Sequence, residues 1–146
     1  MTRPNNVGKL IYLMSREMRY VISMRLQRQG LMVIDYEILS LLLENAPLSQ
    51  ESLVELAIVE KSTVAKSLRR LEQKDIIRRS VDQHDRRKRW IDWGPQAKDV
   101  LAAISTIRNE LDSVLYMEEE DDSVLQTLTI MANSLHKHVV ELRRQE

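Results

Sequence analysis

Apolar residues along this chain recur mostly three or four positions apart, the spacing of a helix that buries one face. Leu10, Met14, Met18, Val21 and Ile22 predict a first long helix from Val7 to about Gln29, and Gly30 suits the left-handed position just past its end. The stretch "DYEILSLLLEN" predicts a second helix over Asp35–Asn45. Asp35 is its N-cap, Ile34 and Leu39 stand at the positions of a hydrophobic staple, and Pro47 ends it. "LSQESLVELA" predicts a short third helix capped by Ser49, with Glu51 in its positive first turn. Only "IVE" separates it from "KSTVAKSLRRLEQKD", a fourth helix whose apolar positions Val64, Leu68 and Leu71 make a single narrow stripe. The period then changes. "IIRRSV" and "RKRWIDW" are β-prone runs on either side of "DQHDRR", which predicts a hairpin. Gly94 and Pro95 suit the N-cap and first position of a fifth helix, which runs to about Met117 with Val100, Leu101, Ile104, Ile107, Leu111 and Leu115 inward. An acidic run, Glu118–Asp122, precedes a last helix carrying Leu125, Leu128, Met131, Leu135, Val139 and Leu142.

Helix, helix, helix–turn–helix, hairpin, helix, helix is the order of a winged helix-turn-helix. The predicted fold is mainly α with a small β-hairpin wing, flanked by long N- and C-terminal helices. We expect one domain over 1–146, with a winged lobe at 33–94 and dimerisation helices at 1–30 and 95–146. So small a lobe is poorly placed to cover the apolar stripes of the long helices, so a second copy of the chain is their expected partner.

Composition narrows the function. The chain has 146 residues, 43% hydrophobic and 30% charged, and is globular rather than disordered. It has no cysteine, which excludes disulfides, thiolate metal sites and thiol redox sensing. No apolar run approaches twenty residues and the opening "MTRPNNVGKL" lacks a signal-peptide core, so we expect a soluble, cytoplasmic chain without a membrane partner. Three glycines and three prolines are too few for the turns of a β sandwich or barrel. Net charge is zero, but it is unevenly spread: residues 61–93 hold 11 basic and 5 acidic groups, and residues 94–146 hold 5 and 10. A basic block beside an acidic one favours docking one face on a polyanion.

"GLMVIDYEIL", "SLVELAIVEKSTVAKSLRRLEQKDIIRR" and "DQHDRRKRWIDW" together resemble the MarR family of winged-helix transcription regulators, over roughly Gly30–Lys98. The middle segment is the most specific, and Asp82, Asp85, Arg86 and Arg87 match the family's wing motif. The chain departs from the family at Met32, where a Thr is usual, at Asp75, where a Gly is usual, at Glu60 in place of an Asp cap, and at "WGPQA" after the wing. The resemblance implies a homodimer built by the terminal helices and a pseudo-palindromic DNA site. It also implies, as in many relatives, a small-molecule effector bound between the dimer helices and the DNA lobe. The absence of cysteine excludes the peroxide-sensing mode of some relatives.

On this reading the recognition helix is 61–74 and the wing is 80–90. Ser62, Thr63 and Lys66 lie in the first turn and a half of the recognition helix, where short or charged donors meet phosphates and base edges. Arg69 and Arg70 follow one turn later. A wing tip lies near the minor groove, whose narrow A·T-rich regions draw in arginine. Arg87 is the first candidate for that insertion and Arg86 the second, with Lys88 and Arg89 adding backbone contacts. Asp82 is expected to shape the turn, and Asp85 to orient an arginine through a carboxylate–guanidinium pair. Tyr12, Met14, Met18 and Tyr36 are the candidate ligand pocket. A metal reading of Asp82, His84 and Asp85 fails beside four consecutive positive charges, and His136 and His138 do not share a helix face. No cofactor site and no catalytic constellation stand out. The alternative is a protein-interaction module whose basic face binds an acidic partner protein.

Overall fold

Asn6 opens the first helix, its carboxamide oxygen accepting from the Lys9 N–H at 2.8 Å. Helix α1 (Val7–Leu26) tightens into a 3₁₀ turn (Gln27–Gln29) that ends at Gly30, whose φ of 64° only glycine adopts without cost. There follow α2 (Val33–Asn45), β1 (Leu48–Ser49), α3 (Gln50–Ala57), α4 (Lys61–Gln73), β2 (Ile77–Val81), β3 (Arg89–Trp93), α5 (Ala97–Leu115) and α6 (Asp122–Arg143). The computed structural model describes residues 6–115 and 122–145. Met117 and Glu118–Asp121, where the fifth helix was expected to end and the acidic run to begin, lie outside them. The architecture is the predicted one: mainly helical, with a small β wing between long flanking helices.

Two helix starts differ from expectation. α2 begins two residues before Asp35, with Met32 as its N-cap. Asp35 is therefore at the third helical position, and its carboxylate reaches back to the Met32 N–H at 2.8 Å. A carboxylate there neutralises the helix start as well as an N-cap does. α5 begins at Ala97 rather than Pro95 because Gly94 is occupied in another way. Its N–H donates to the Ile76 carbonyl at 2.8 Å, and a Cβ at this position would lie 2.3 Å from the Asp75 oxygen. Gly94 is thus a close-approach residue that stitches the turn after α4 to the entrance of α5.

β1 is an addition. It pairs antiparallel with β3 (Leu48 with Ile91, Ser49 with Trp90), and β3 pairs with β2 from Ile77–Trp93 to Val81–Arg89, giving the order β1-β3-β2. Ser49 has two roles, as a strand residue and as the cap of α3, with its hydroxyl accepting from the Ser52 N–H at 3.1 Å.

Through Leu111 the chain forms one compact unit, and from Asp112 onward a second. In the first, Ile22 and Leu26 of α1, Ile38, Leu39 and Leu42 of α2, Leu53 of α3, Val64, Leu68 and Leu71 of α4, the sheet's Ile77 and Ile91, and Val100, Ile104 and Ile107 of α5 make one core. Ion pairs brace its rim: Arg19–Glu37 joins α1 to α2, and Arg25 grips Glu110 of α5 through two bonds of 2.8 and 2.6 Å. α6, taken by itself, has no buried residue, and Leu125, Ile130 and Leu135 are each more than 60% exposed.

Among the described residues, two that are not glycine take a left-handed backbone: Asp75 (φ 55°) and Ile58 (φ 51°), the latter in the turn between α3 and α4. Aspartate tolerates this region, whereas a β-branched residue is strained in it. Two substitutions should therefore move stability in opposite directions. Gly94→Ala is expected to destabilise by about 2–3 kcal/mol, since backbone must shift to admit the Cβ. Ile58→Gly is expected to stabilise by about 0.5–1 kcal/mol, the relief of strain less the added chain entropy. Urea midpoints of both variants check this, and a Gly94→Ala protein as stable as the parent would contradict the close approach.

Candidate nucleic-acid interface

A helix that reads a polyanion needs one face held by a core and the other carrying donors. α4 meets this condition. Val64, Ser67, Leu68 and Leu71 are buried, while Lys61, Ser62, Lys66, Arg69 and Gln73 are exposed and Thr63 is half-buried. Ser62, Lys66, Arg69 and Gln73 follow one another at four, three and four residues and make a single outward stripe. Gln73 belongs to it by geometry, although in the sequence it is only one more polar residue near the helix end.

Arg70 departs from expectation. Asp35, with no exposed surface, accepts four hydrogen bonds. Ser67 Oγ donates to its Oδ1 at 2.5 Å and Arg70 Nη2 to the same oxygen at 2.6 Å. Arg70 Nε and the Met32 backbone N–H each donate to Oδ2 at 2.8 Å. Arg70 lies beside Leu71 and three residues after Ser67, at the edge of the buried face, and this brings its guanidinium to α2 instead of outward. The Asp35 hydrogen bonds push the guanidinium's already high pKa further up, against the opposing effect of partial burial. At the other end of α4, Glu72 Oε2 accepts from Arg79 Nε and Nη2 at 2.9 and 2.6 Å, tying the helix to β2. α4 is thus pinned on both sides by arginine–carboxylate pairs.

The wing is organised by its two aspartates. Asp82 Oδ1 accepts from the backbone N–H groups of His84 (2.8 Å) and Asp85 (3.0 Å), and its Oδ2 accepts from the Trp90 indole N–H at 2.7 Å. Asp82 therefore shapes the turn. Asp85 does not pair with a guanidinium as expected: its Oδ1 accepts from the Arg87 backbone N–H at 2.9 Å. A carboxylate so close in sequence reaches the main chain two residues on more readily than a long side chain. Arg86 and Arg87 are exposed. Arg89 Nη1 donates to the Arg86 carbonyl at 2.6 Å, and the Lys88 ammonium lies 4.4 Å from the centre of the Trp90 ring.

Helix and wing open onto one surface. A pocket of about 340 Å³ is lined by Ser49, Gln50, Glu51, Val54 and Glu55 around α3, by Lys61 at the start of α4, and by Arg87, Lys88 and Arg89 of the wing. The candidate ligand residues are not gathered in this way: Tyr12 and Met14 are exposed on α1, while Met18 and Tyr36 pack against the core. Among the described residues, no group of three or more His, Cys, Asp or Glu could hold a metal ion, and no helix is long and apolar enough to cross a membrane.

Comparison with known proteins gives the same picture. The profile of the MarR family matches residues 35–88, from the buried carboxylate of α2 through the wing. The transcriptional regulator HosA of Escherichia coli O127:H6 is 28% identical over 102 residues, covering 68% of this chain and 76% of HosA. A MarR transcriptional regulator from Methanosarcina mazei Go1 superposes with a TM-score of 0.81 at 22% identity, over 89% of this chain and 96% of that one. The S. aureus MepR–DNA complex gives 0.77 at 25% identity, over 90% of this chain and 99% of MepR. Over residues 35–88 the chain is similar to the MarR family.

Its departures from the usual MarR-family residues have structural counterparts. Met32 stands at the N-cap of α2, and its own N–H donates to the Asp35 carboxylate. Glu60 precedes α4 without capping it through its side chain. Asp75 takes the left-handed conformation for which the family's usual Gly is suited.

Two outcomes follow from this geometry. Arg70→Met leaves a buried carboxylate without its charge partner and is expected to cost about 3 kcal/mol by chemical denaturation; an unchanged midpoint would show that the pair supports nothing. The Trp90 indole N–H, followed by the His84 and Asp85 N–H groups, holds the Asp82 carboxyl below its ordinary value of 3.8. A depressed folded pKa means that the turn is fully supported above that value and loses support only as the pH falls through the lower one. The Trp90 indole proton resonance should therefore be flat from neutrality to the ordinary aspartate range and move only below it. A midpoint at or above the ordinary value would contradict this assignment.

Proposed function

We propose that this chain is a homodimeric, sequence-specific DNA-binding transcriptional regulator, acting in the cytoplasm as a repressor that occupies a pseudo-palindromic operator. The observation that carries the reading is the outward stripe of Ser62, Lys66, Arg69 and Gln73, on a helix whose opposite face is fixed by the core. In this reading α4 enters the major groove. Ser62, Thr63 and Lys66 contact phosphates and base edges, and Arg69 and Gln73 lie a turn or two further along. Arg87, or Arg86 beside it, enters the minor groove, and Lys88 and Arg89 contact the backbone. Arg70 acts from behind by holding the helix. The similarity to the MepR–DNA complex, a protein seen with DNA, supports this docking.

The dimer is proposed from the apolar surface of the terminal helices. Val7 (53% exposed) and Leu10 (44%) on α1, Val114 (78%) at the end of α5, and Leu125 (68%) and Leu135 (63%) on α6 are costly in water. A second copy of the chain is the occupant we propose. A small-molecule effector whose binding releases DNA is proposed at Met18 and Tyr36, which pack against the core; the exposed Tyr12 and Met14 are not gathered with them. No catalytic role is assigned.

Alanine substitution of Arg69 or Arg87 tests the reading on duplex DNA. Loss of a base-reading contact is expected to cost about 1–3 kcal/mol, and loss of a phosphate contact to lower the slope of log K against log salt by about one. If both variants bind DNA as the parent does while losing an acidic protein partner, the protein-interaction alternative holds instead. Light scattering at micromolar concentration should give twice the 17.1 kDa chain mass; a monomer would defeat the dimer.

A further inference from the structure

The sheet has a solvent-side face formed by Arg78 and Ser80 of β2 and Trp90 and Asp92 of β3, since residues paired across an antiparallel ladder share a face. Trp90 occupies the central strand. Its backbone is paired with Ser80 on one side and with Ser49 on the other. Ser49 in turn caps α3. The position is therefore fixed from both sides before its side chain does anything. On a solvent-side face of a small hairpin, a tryptophan with its N–H satisfied by a loop carboxylate calls for a reason.

We propose that Trp90 is the positioning residue of the wing: it transmits the rigidity of the three-stranded sheet to the loop that presents Arg86 and Arg87. This rests on the DNA-binding reading above and adds to it. The hydrogen bonds form a continuous chain. The indole N–H donates to Asp82 Oδ2 at 2.7 Å; Asp82 Oδ1 receives the N–H groups of His84 and Asp85; Asp85 Oδ1 receives the N–H of Arg87. The links run from Trp90 of β3 to the first residue of the loop and on through the loop's main chain to Arg87. The ring also seats Lys88, whose ammonium lies 4.4 Å from its centroid, and the Lys88 N–H and carbonyl close the turn with the Asp85 carbonyl at 3.0 Å and the Asp82 N–H at 3.1 Å.

A loop of seven residues between strands, carrying adjacent positive charges, would otherwise sample many conformations and would lose that freedom on binding DNA. Anchoring it beforehand reduces the ordering cost of the bound state, so the indole affects affinity without touching DNA. Removing the N–H alone should free the tip, while the sheet, held by main-chain pairing and by Ile77 and Ile91, stays intact.

Trp90→Phe keeps a ring for Lys88 and removes the donor. Three measurements on the full chain separate the outcomes. Amide hydrogen exchange at His84, Asp85 and Arg87 should speed up several-fold while Ile91 and Trp93 are unchanged. Affinity for duplex DNA should fall roughly three- to ten-fold, the equivalent of one hydrogen bond of ordinary net strength. In an Arg87→Ala background the same substitution should have little further effect, because the side chain it positions is gone. If Arg87→Ala weakens binding and Trp90→Phe leaves both exchange and affinity unchanged, the positioning role is overturned and the DNA reading stands. Equal losses from Trp90→Phe with and without Arg87 would assign the indole a general structural role and overturn the proposal as well. If Arg87→Ala has no effect on DNA, the reading of the wing fails first.

Discussion

A carboxylate with no exposed surface holds α4 to the rest of the molecule. Asp35 accepts one hydrogen bond from Ser67 and two from Arg70 of α4, along with that of the free N–H at the start of its own helix. An isolated buried charge would be prohibitive, but four donors, one a bidentate guanidinium, satisfy it. Apolar packing of Val64, Leu68 and Leu71 decides which face of α4 is inward. The charged network decides more: it fixes the rotation of the helix against α2, because hydrogen bonds are directional where hydrophobic contact is not. The Glu72–Arg79 pair repeats the device at the join to the wing. What is left to face outward is the stripe from Ser62 to Gln73.

Much of the architecture was legible in the sequence because it depends on local rules. Helical spacing marked α1, α4 and α5, Ser49 was a strong cap, and the β-prone runs around "DQHDRR" predicted the hairpin. The errors share a cause. Asp35 looked like an N-cap and Arg70 like a DNA contact because each was judged within its own helix, while their bond spans 35 residues. Gly94 looked like a cap because its close neighbour, the Asp75 carbonyl, is nineteen positions away in the chain. β1 has two residues, too few to show a period. Opposite charge suggests a guanidinium partner for Asp85, whereas a short side chain finds the main chain nearby.

Wing and recognition helix solve the same problem by different means. α4 gains its rigidity from a buried network and a core, while the wing has almost no core of its own and relies on hydrogen bonds that main-chain N–H groups donate to Asp82 and Asp85. Both leave arginines on the surface and both keep one arginine for internal use: Arg70 on α4, and Arg79, paired with Glu72, on β2. Basic residues in this chain thus divide between those that hold the frame and those that face outward. Counting charge along residues 61–93 does not separate the two groups; geometry does.

The most direct measurement is selection by the purified protein from random-sequence DNA duplexes, repeated at two salt concentrations. A dimeric reader built on α4 and the wing should enrich an inverted repeat whose half-sites are separated by about one helical turn. Its affinity should fall steeply as salt rises. Weak binding that vanishes with salt and enriches no sequence would contradict that function and leave only a basic surface on a MarR-family fold.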